Sequence, residues 1–198
     1  MESIDIGILG KPYIFATIVF FMSIFDDFLP KISRELYHRG HNRFFVYLGV
    51  NTSFYAGSWW AKWGIRLMIP VMLVLIYNLA ELSDDQASMD IYQMFAGFAF
   101  FNYLIINLRH LQNILLYNLT REDSGDSGYV DLEGEIIIGS RYSLRQSAVQ
   151  IFTIALLFFG MFVFQPNFFM AGGILAPVFL TIRNLILSGV FRGKKSGY

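Results

Sequence analysis

Long stretches without charge, rich in phenylalanine and branched aliphatic residues, set the pattern of this chain. A hydrocarbon core roughly 30 Å thick requires about 20 apolar residues in a helix that rises about 1.5 Å per residue. Five stretches meet this requirement clearly: residues 12–30, 65–82, 91–109, 148–165 and 168–191. The pattern therefore predicts an all-α, polytopic transmembrane helical bundle.

A sixth stretch, residues 44–61, is free of charge but more polar than the others. It includes Asn51, Thr52 and Ser53, so it is poorly suited to contact lipid on all sides. We expect six spans because its length is sufficient, and the alternative is five spans plus one interfacial or re-entrant helix. Residues 1–198 are expected to form a single transmembrane domain with a polar cytoplasmic loop at about residues 118–147.

Basic residues near the ends of spans mark the cytoplasmic side of a membrane protein. If the spans alternate in direction, the basic clusters that flank the later spans all fall on one side of the membrane. This predicts that the C-terminus is cytoplasmic. We expect the membrane to be the cell membrane. With six spans, both termini are inside and the four basic residues of segment 31–43 are outside. With five spans, the N-terminus is outside and fourteen of the fifteen basic residues are inside.

Composition excludes several other classes of protein. Apolar residues make up 55% of the chain and charged residues 15%, whereas a soluble domain carries roughly 25% charged residues. The formal net charge is zero, so the basic surface that a nucleic-acid-binding protein needs is missing. Cysteine is absent, which excludes disulfides, cysteine nucleophiles and zinc knuckles. We expect the partners to be the lipid bilayer and either further copies of this chain or another membrane subunit.

Three polar residues around the third clear stretch form a stripe. At about 100° per residue, Asn102, Arg109 and Asn113 lie within about 20° of one helical face. Amide and guanidinium groups in hydrocarbon are costly unless they face protein or water. The stripe is therefore expected to line an internal cleft, or else to hold helices together with Arg109 extending to the interface.

Two adjacent carboxylates, Asp26 and Asp27, lie near the end of the first stretch. In a bilayer, such a pair can share a proton or bind a cation, because two neighbouring negative charges repel each other. The alternative interpretation is that the pair marks the helix end in the headgroup layer.

Glu35, His38 and His41 recur every three residues. On one helical turn they would form a partial ligand set for zinc or iron. Gly40 interrupts that turn, and a solvated basic segment at the interface is the simpler interpretation. We therefore expect no bound metal and no cofactor.

Residues 106–111 (INLRHL) resemble residues 180–185 (LTIRNL) at an offset of 74. The same offset brings Gly97 and Ala99 near residues 171–173, where small side chains would let helices pack closely. The resemblance predicts a duplicated helical hairpin, and chance similarity between two apolar segments is the alternative.

Catalytic and nucleotide-binding motifs such as GxSxG, HExxH and the P-loop are absent from the sequence. The polar stripe and the carboxylate pair favour a small channel or transporter. One alternative is a structural or assembly subunit of a membrane complex, whose polar residues meet a partner helix. A membrane-embedded enzyme that acts on lipid is a further alternative, for which no catalytic residue can be designated.

Overall fold

The computed structural model describes Gly7 and residues 9–38, 59–122 and 140–190. Within the helices, the side chains of residues 33–38, 59–62, 65, 113, 116–122, 140–143 and 190 lie outside the description. Five helices form nearly all of this part of the chain: α1 (Pro12–His38), α2 (Trp59–Ser83), α3 (Gln86–Glu122), α4 (Ser140–Phe164) and α5 (Phe168–Val190). Each is long and apolar enough to cross a membrane. The predicted all-helical bundle and its five clear spans are confirmed.

Short capped turns connect these helices in pairs. Asp84 follows α2 in a left-handed conformation (φ 48°), which an aspartate adopts more readily than most residues. The Asp85 carboxylate then accepts a hydrogen bond from the Ala87 backbone N–H (3.3 Å) and caps α3. Asn167 caps α5, since its Oδ1 accepts a hydrogen bond from the Met170 N–H (2.8 Å). The tight connections make α2–α3 and α4–α5 antiparallel hairpins.

Helix α1 runs parallel to α3 in a constant register. Tyr92 Oη donates a hydrogen bond to the Leu9 carbonyl oxygen (3.2 Å), and Asn107 Nδ2 donates one to the Met22 carbonyl oxygen (2.9 Å). The partners are 83 and 85 residues apart in sequence, so the two helices stay paired in the same direction. Because α2 is antiparallel to α3, it is also antiparallel to α1.

This arrangement shows that the expected six-span topology is wrong. Helix α1 ends where α2 begins, at one end of the bundle, and Arg66 in the early part of α2 is 3.0 Å from Asp27 in the later part of α1. A single crossing by residues 44–61 would separate those two positions by the thickness of the bilayer. Residues 59–61 are in fact the first turn of α2, whereas residues 44–58 lie outside the described residues.

Helix α3 is the centre of the bundle. One side of α3 packs against α1 and α2, in a cluster that includes the fully buried Leu73 and Tyr92. The other side packs against α4 and α5 through Ile105, Ile151 and Leu180. Helices α2 and α4 are peripheral, since only 11% and 22% of their membrane-spanning windows are buried. Their outer faces carry large exposed apolar side chains, as a lipid environment requires.

Two glycines let α3 and α5 approach closely. A Cβ atom on Gly97 would overlap the carbonyl group of Phe169, and one on Gly172 would overlap the carbonyl oxygen of Met94. Both obstacles are backbone atoms, so they cannot rotate away. This is the close packing of small residues that the sequence suggests for Gly97. Ala99 is buried in the cluster formed by α1, α2 and α3, against which Phe169 of α5 also packs.

The 74-residue offset between the two similar segments is also the packing register of α3 and α5. Gly172 lies against the backbone of Phe98, 74 residues earlier, and Arg183 interacts electrostatically with Arg109 across the same offset. The two hairpins therefore contribute equivalent helices to one parallel contact, which is the arrangement that a duplication would produce. The duplication itself stays a prediction.

The glycine contact can be tested by adding one methyl group. We expect Gly172→Ala to lower the free energy of unfolding by about 2 kcal/mol or more, because backbone atoms of α3 must move. Gly173→Ala should cost less, since its Cβ would meet only the Phe101 ring. Unfolding in mixed detergent micelles measures both values.

Gly160→Ala is the matched control within α4, where an added Cβ meets nothing within 4 Å. It should be neutral or stabilising by up to about 1 kcal/mol, as expected from helix propensity. Equal stability of Gly172→Ala and Gly160→Ala would contradict the close approach of α3 and α5.

Candidate functional site

Charged and polar side chains collect at one end of the bundle, which we call the charged end. It is formed by the later parts of α1, α3 and α5 and the early parts of α2 and α4, and it includes Asp26, Arg66 and His110. Asp26 lies six residues before the end of the span Pro12–Ile32, and His110 lies two residues before the end of Gln86–Gln112. The charged end is therefore at the edge of the hydrocarbon layer and extends into it.

The two adjacent carboxylates of α1 have different partners. Asp27 Oδ2 is 2.9 Å from Lys31 Nζ, and Asp27 Oδ1 is 3.0 Å from Arg66 Nη2 of α2. The Arg66 guanidinium also lies over the Trp63 ring, 5.4 Å from its centroid, a favourable cation–π arrangement. Asp27 thus joins α1 to α2, and its negative charge is matched by two cations.

Asp26 faces α3 instead, where it meets a buried histidine. His110 Nε2 is 3.6 Å from Asp26 Oδ1, and the His110 residue is only 6% exposed. This approach is longer than a hydrogen bond, and a carboxylate accepts one only from a ring nitrogen that carries a proton. His110 Nδ1 is buried and forms no hydrogen bond with any residue in the described part of the chain.

Asn107 lies one turn before His110 on the same face of α3. Its Nδ2 binds the Met22 carbonyl oxygen, one turn before Asp26 on α1. Its Oδ1, like His110 Nδ1, is buried without a hydrogen-bond partner among the described residues. The α1–α3 contact therefore holds two unsatisfied polar atoms, one of them on the histidine that approaches Asp26.

The α4–α5 contact at the charged end is different, because its polar side chains pair with each other. Asn184 Nδ2 donates a hydrogen bond to Ser147 Oγ (2.8 Å), and Thr181 Oγ1 donates one to the Ala148 carbonyl oxygen (3.4 Å). All of these side chains are buried. Such pairs hold membrane helices together.

The predicted stripe lies on a different side of α3 from Asn107 and His110. Asn102 is half-buried and forms no hydrogen bond within the described residues. Arg109 is half-buried and close enough to Arg183 of α5 for the two guanidinium groups to repel each other. The side chain of Asn113 lies outside the described residues. A role for the stripe in lining a cleft stays a prediction.

The three metal candidates cannot be assembled from the described side chains. Glu35 and His38 belong to the last turn of α1, with side chains outside the description, and His41 lies beyond it. Across residues 9–38, 59–122 and 140–190, there is no group of three histidine, aspartate or glutamate residues that could hold a metal ion.

In the part of the chain that the structure describes, five helices are each long and apolar enough to cross a membrane, an architecture compatible with a multi-pass membrane protein. No known protein family, curated protein or solved structure matches the chain. The charged end is therefore the part of the molecule that can indicate its function.

The paired α4–α5 contact yields a prediction about stability. Asn184→Leu should lower the free energy of unfolding by about 1 to 2 kcal/mol, because it leaves Ser147 Oγ buried without its partner. Adding Ser147→Ala to that variant should cost little more, since the hydrogen bond is already lost. Unfolding measurements on the two single variants and the double variant test this.

Thr153→Val provides the control, because Thr153 is exposed and bonds only to Val149 of its own helix. It should change stability by less than about 0.5 kcal/mol. Fully additive losses for Asn184→Leu and Ser147→Ala would contradict the pairing.

Proposed function

We propose that this chain is a small channel or transporter whose hydrated path follows the α1–α3 contact at the charged end. The observation that carries the proposal is that two buried atoms of this one contact, Asn107 Oδ1 and His110 Nδ1, form no hydrogen bond among the described residues. Arg183 Nε of α5 is a third such atom, on a side chain that has other interactions. Buried polar atoms in a purely structural contact are satisfied, as they are between Ser147 and Asn184. A buried polar atom without a hydrogen bond inside a membrane protein indicates a place where a water molecule or an ion supplies the missing interaction.

The charges beside this contact support the same proposal. Asp26 and His110 are ionisable groups within membrane spans, and such groups are rare and mark ion or proton pathways more often than not. Asn102 and Arg109 offer a second polar surface on α3, toward α5, which extends the proposal to the predicted stripe.

A structural or assembly subunit is the second candidate function. It is favoured by the peripheral positions of α2 and α4, which leave most of their surface to lipid or to another membrane subunit. The third hypothesis, an enzyme that acts on lipid, gains no support from the described residues.

Flux through reconstituted protein tests the proposal. In liposomes, the wild type should carry protons, potassium or chloride faster than protein-free vesicles do. Asn107→Leu should reduce the rate by roughly tenfold or more, because an apolar side chain of similar size replaces the amide that holds water. Asn184→Leu is the matched control, since it makes the same substitution at the α4–α5 contact. Its flux per folded molecule should equal that of the wild type.

Two outcomes would contradict a channel or transporter of these ions. The first is equal flux for Asn107→Leu and the wild type. The second is the absence of flux for all three ions, together with a chain that is stable only when it co-purifies with other subunits. The second outcome would favour the assembly-subunit function.

We further propose that the charged end faces the cytoplasm, in the cell membrane. Of the ten basic residues in the described parts of the chain, nine belong to the helix segments that form this end, and Lys11 lies at the other. Basic residues are retained on the cytoplasmic side. The N-terminus is then outside and the C-terminus inside.

Cysteine labelling tests this orientation without interference, because the chain has no native cysteine. In intact cells, a membrane-impermeant maleimide should label Gln165→Cys, in the α4–α5 turn, and should label Ser33→Cys only after the membrane is opened. The reverse pattern would overturn the orientation, and labelling of both sites in intact cells would contradict the opposite placement of these two positions.

A further inference from the structure

We propose that Asp26 and His110 form a proton-binding site within the membrane, and that the proton is the ion that this protein handles. The site joins α1 to α3 through the 3.6 Å approach of His110 Nε2 to Asp26 Oδ1. Proton binding stands on this geometry alone, whereas movement of the proton rests on the proposed transport function.

The tautomer of His110 identifies the atom that accepts the proton. In a neutral imidazole, one nitrogen carries hydrogen and the other carries a lone pair. Because Nε2 faces the Asp26 carboxylate, the hydrogen is on Nε2 and the lone pair is on Nδ1. Nδ1 is buried and unpartnered among the described residues. It is therefore available as a base.

Asn107 supplies the means of bringing a proton to that base. Its Oδ1 is a second buried acceptor, one turn from His110 on the same helical face. A water molecule that donates one hydrogen to each of two acceptors satisfies both of them. A hydronium ion in that position transfers a proton to Nδ1 and becomes water. His110 becomes an imidazolium, and the reverse step restores the neutral ring.

Asp26 compensates the positive charge that His110 gains. The neighbouring Asp27 is already matched by Lys31 on α1 and Arg66 on α2. Asp26, in contrast, has only His110 as an ionisable partner among the described residues. An imidazolium at His110 therefore has the Asp26 carboxylate as its counter-ion.

Two further cations lie in the same region of the bundle. Arg109 precedes His110 on α3, and Arg183 of α5 lies close to Arg109.

Nitrogen NMR of the full chain in lipid nanodiscs tests the proton site directly. The protein has three histidines, so ¹⁵N-histidine labelling gives few signals, and His110→Gln identifies those of His110. We expect the neutral form to have its lone pair on Nδ1. Both ring nitrogens of His110 should change to the imidazolium pattern when the sample is acidified.

Asp26→Asn and Asp27→Asn form a matched pair of variants, since each removes one negative charge from adjacent positions. Asp26→Asn should change the transition of His110, because the carboxylate that approaches its ring is lost. Asp27→Asn should change it less. A His110 that keeps one charge state when the sample is acidified, a neutral form with its lone pair on Nε2, or an unchanged transition in Asp26→Asn would each overturn the proposal.

The flux measurement and the NMR measurement test the transport function and the proton site separately. A His110 that titrates in an Asp26-dependent way, in a protein that carries no protons, leaves the binding site standing and contradicts the proposed transport. Flux of another ion with a His110 that does not titrate supports transport and overturns the proton site.

Discussion

Polar side chains inside a hydrocarbon layer need partners within the protein, and this constraint determines how the five helices meet at the charged end. Asp27 is matched by cations from α1 and α2, and Asn184 bonds to Ser147 between α5 and α4. Asn107 ties α3 to the backbone of α1. Apolar packing and the glycine contact hold the bundle together over the rest of its length.

The α1–α3 contact differs from the α4–α5 contact because two of its buried polar atoms lack hydrogen bonds. The α4–α5 contact buries polar groups that satisfy each other, whereas Asn107 Oδ1 and His110 Nδ1 stay open beside Asp26. An open polar atom costs roughly 1 to 3 kcal/mol when it is buried. Binding of a water molecule or an ion at such a contact would offset this cost. The distinction between a closed contact and an open one is the basis of the proposed function.

Much of the fold, but little of the site, could be predicted from the sequence. Length and absence of charge identified all five spans, because the thickness of the bilayer sets both. The same criterion misassigned residues 59–61 to a sixth span, since it cannot detect that α1 and α2 are antiparallel. Asp26 and Asp27 stood out as a pair, yet their separate partners depend on packing. Asn107 and His110 fall within residues 106–111, which the sequence indicates only as one half of a possible repeat, so that signal did not identify them as a polar contact with α1.

The central claim is that the α1–α3 contact is hydrated and the α4–α5 contact is not. The chain lacks cysteine, so single cysteines at Asn107 and Asn184 can be compared for their rates of reaction with a small water-soluble methanethiosulfonate in the folded protein. Both positions are at the charged end, and a thiol reacts as the hydrated thiolate. The account predicts that Asn107→Cys reacts faster than Asn184→Cys by roughly tenfold or more. Equal rates, or a faster reaction at Asn184→Cys, would contradict it.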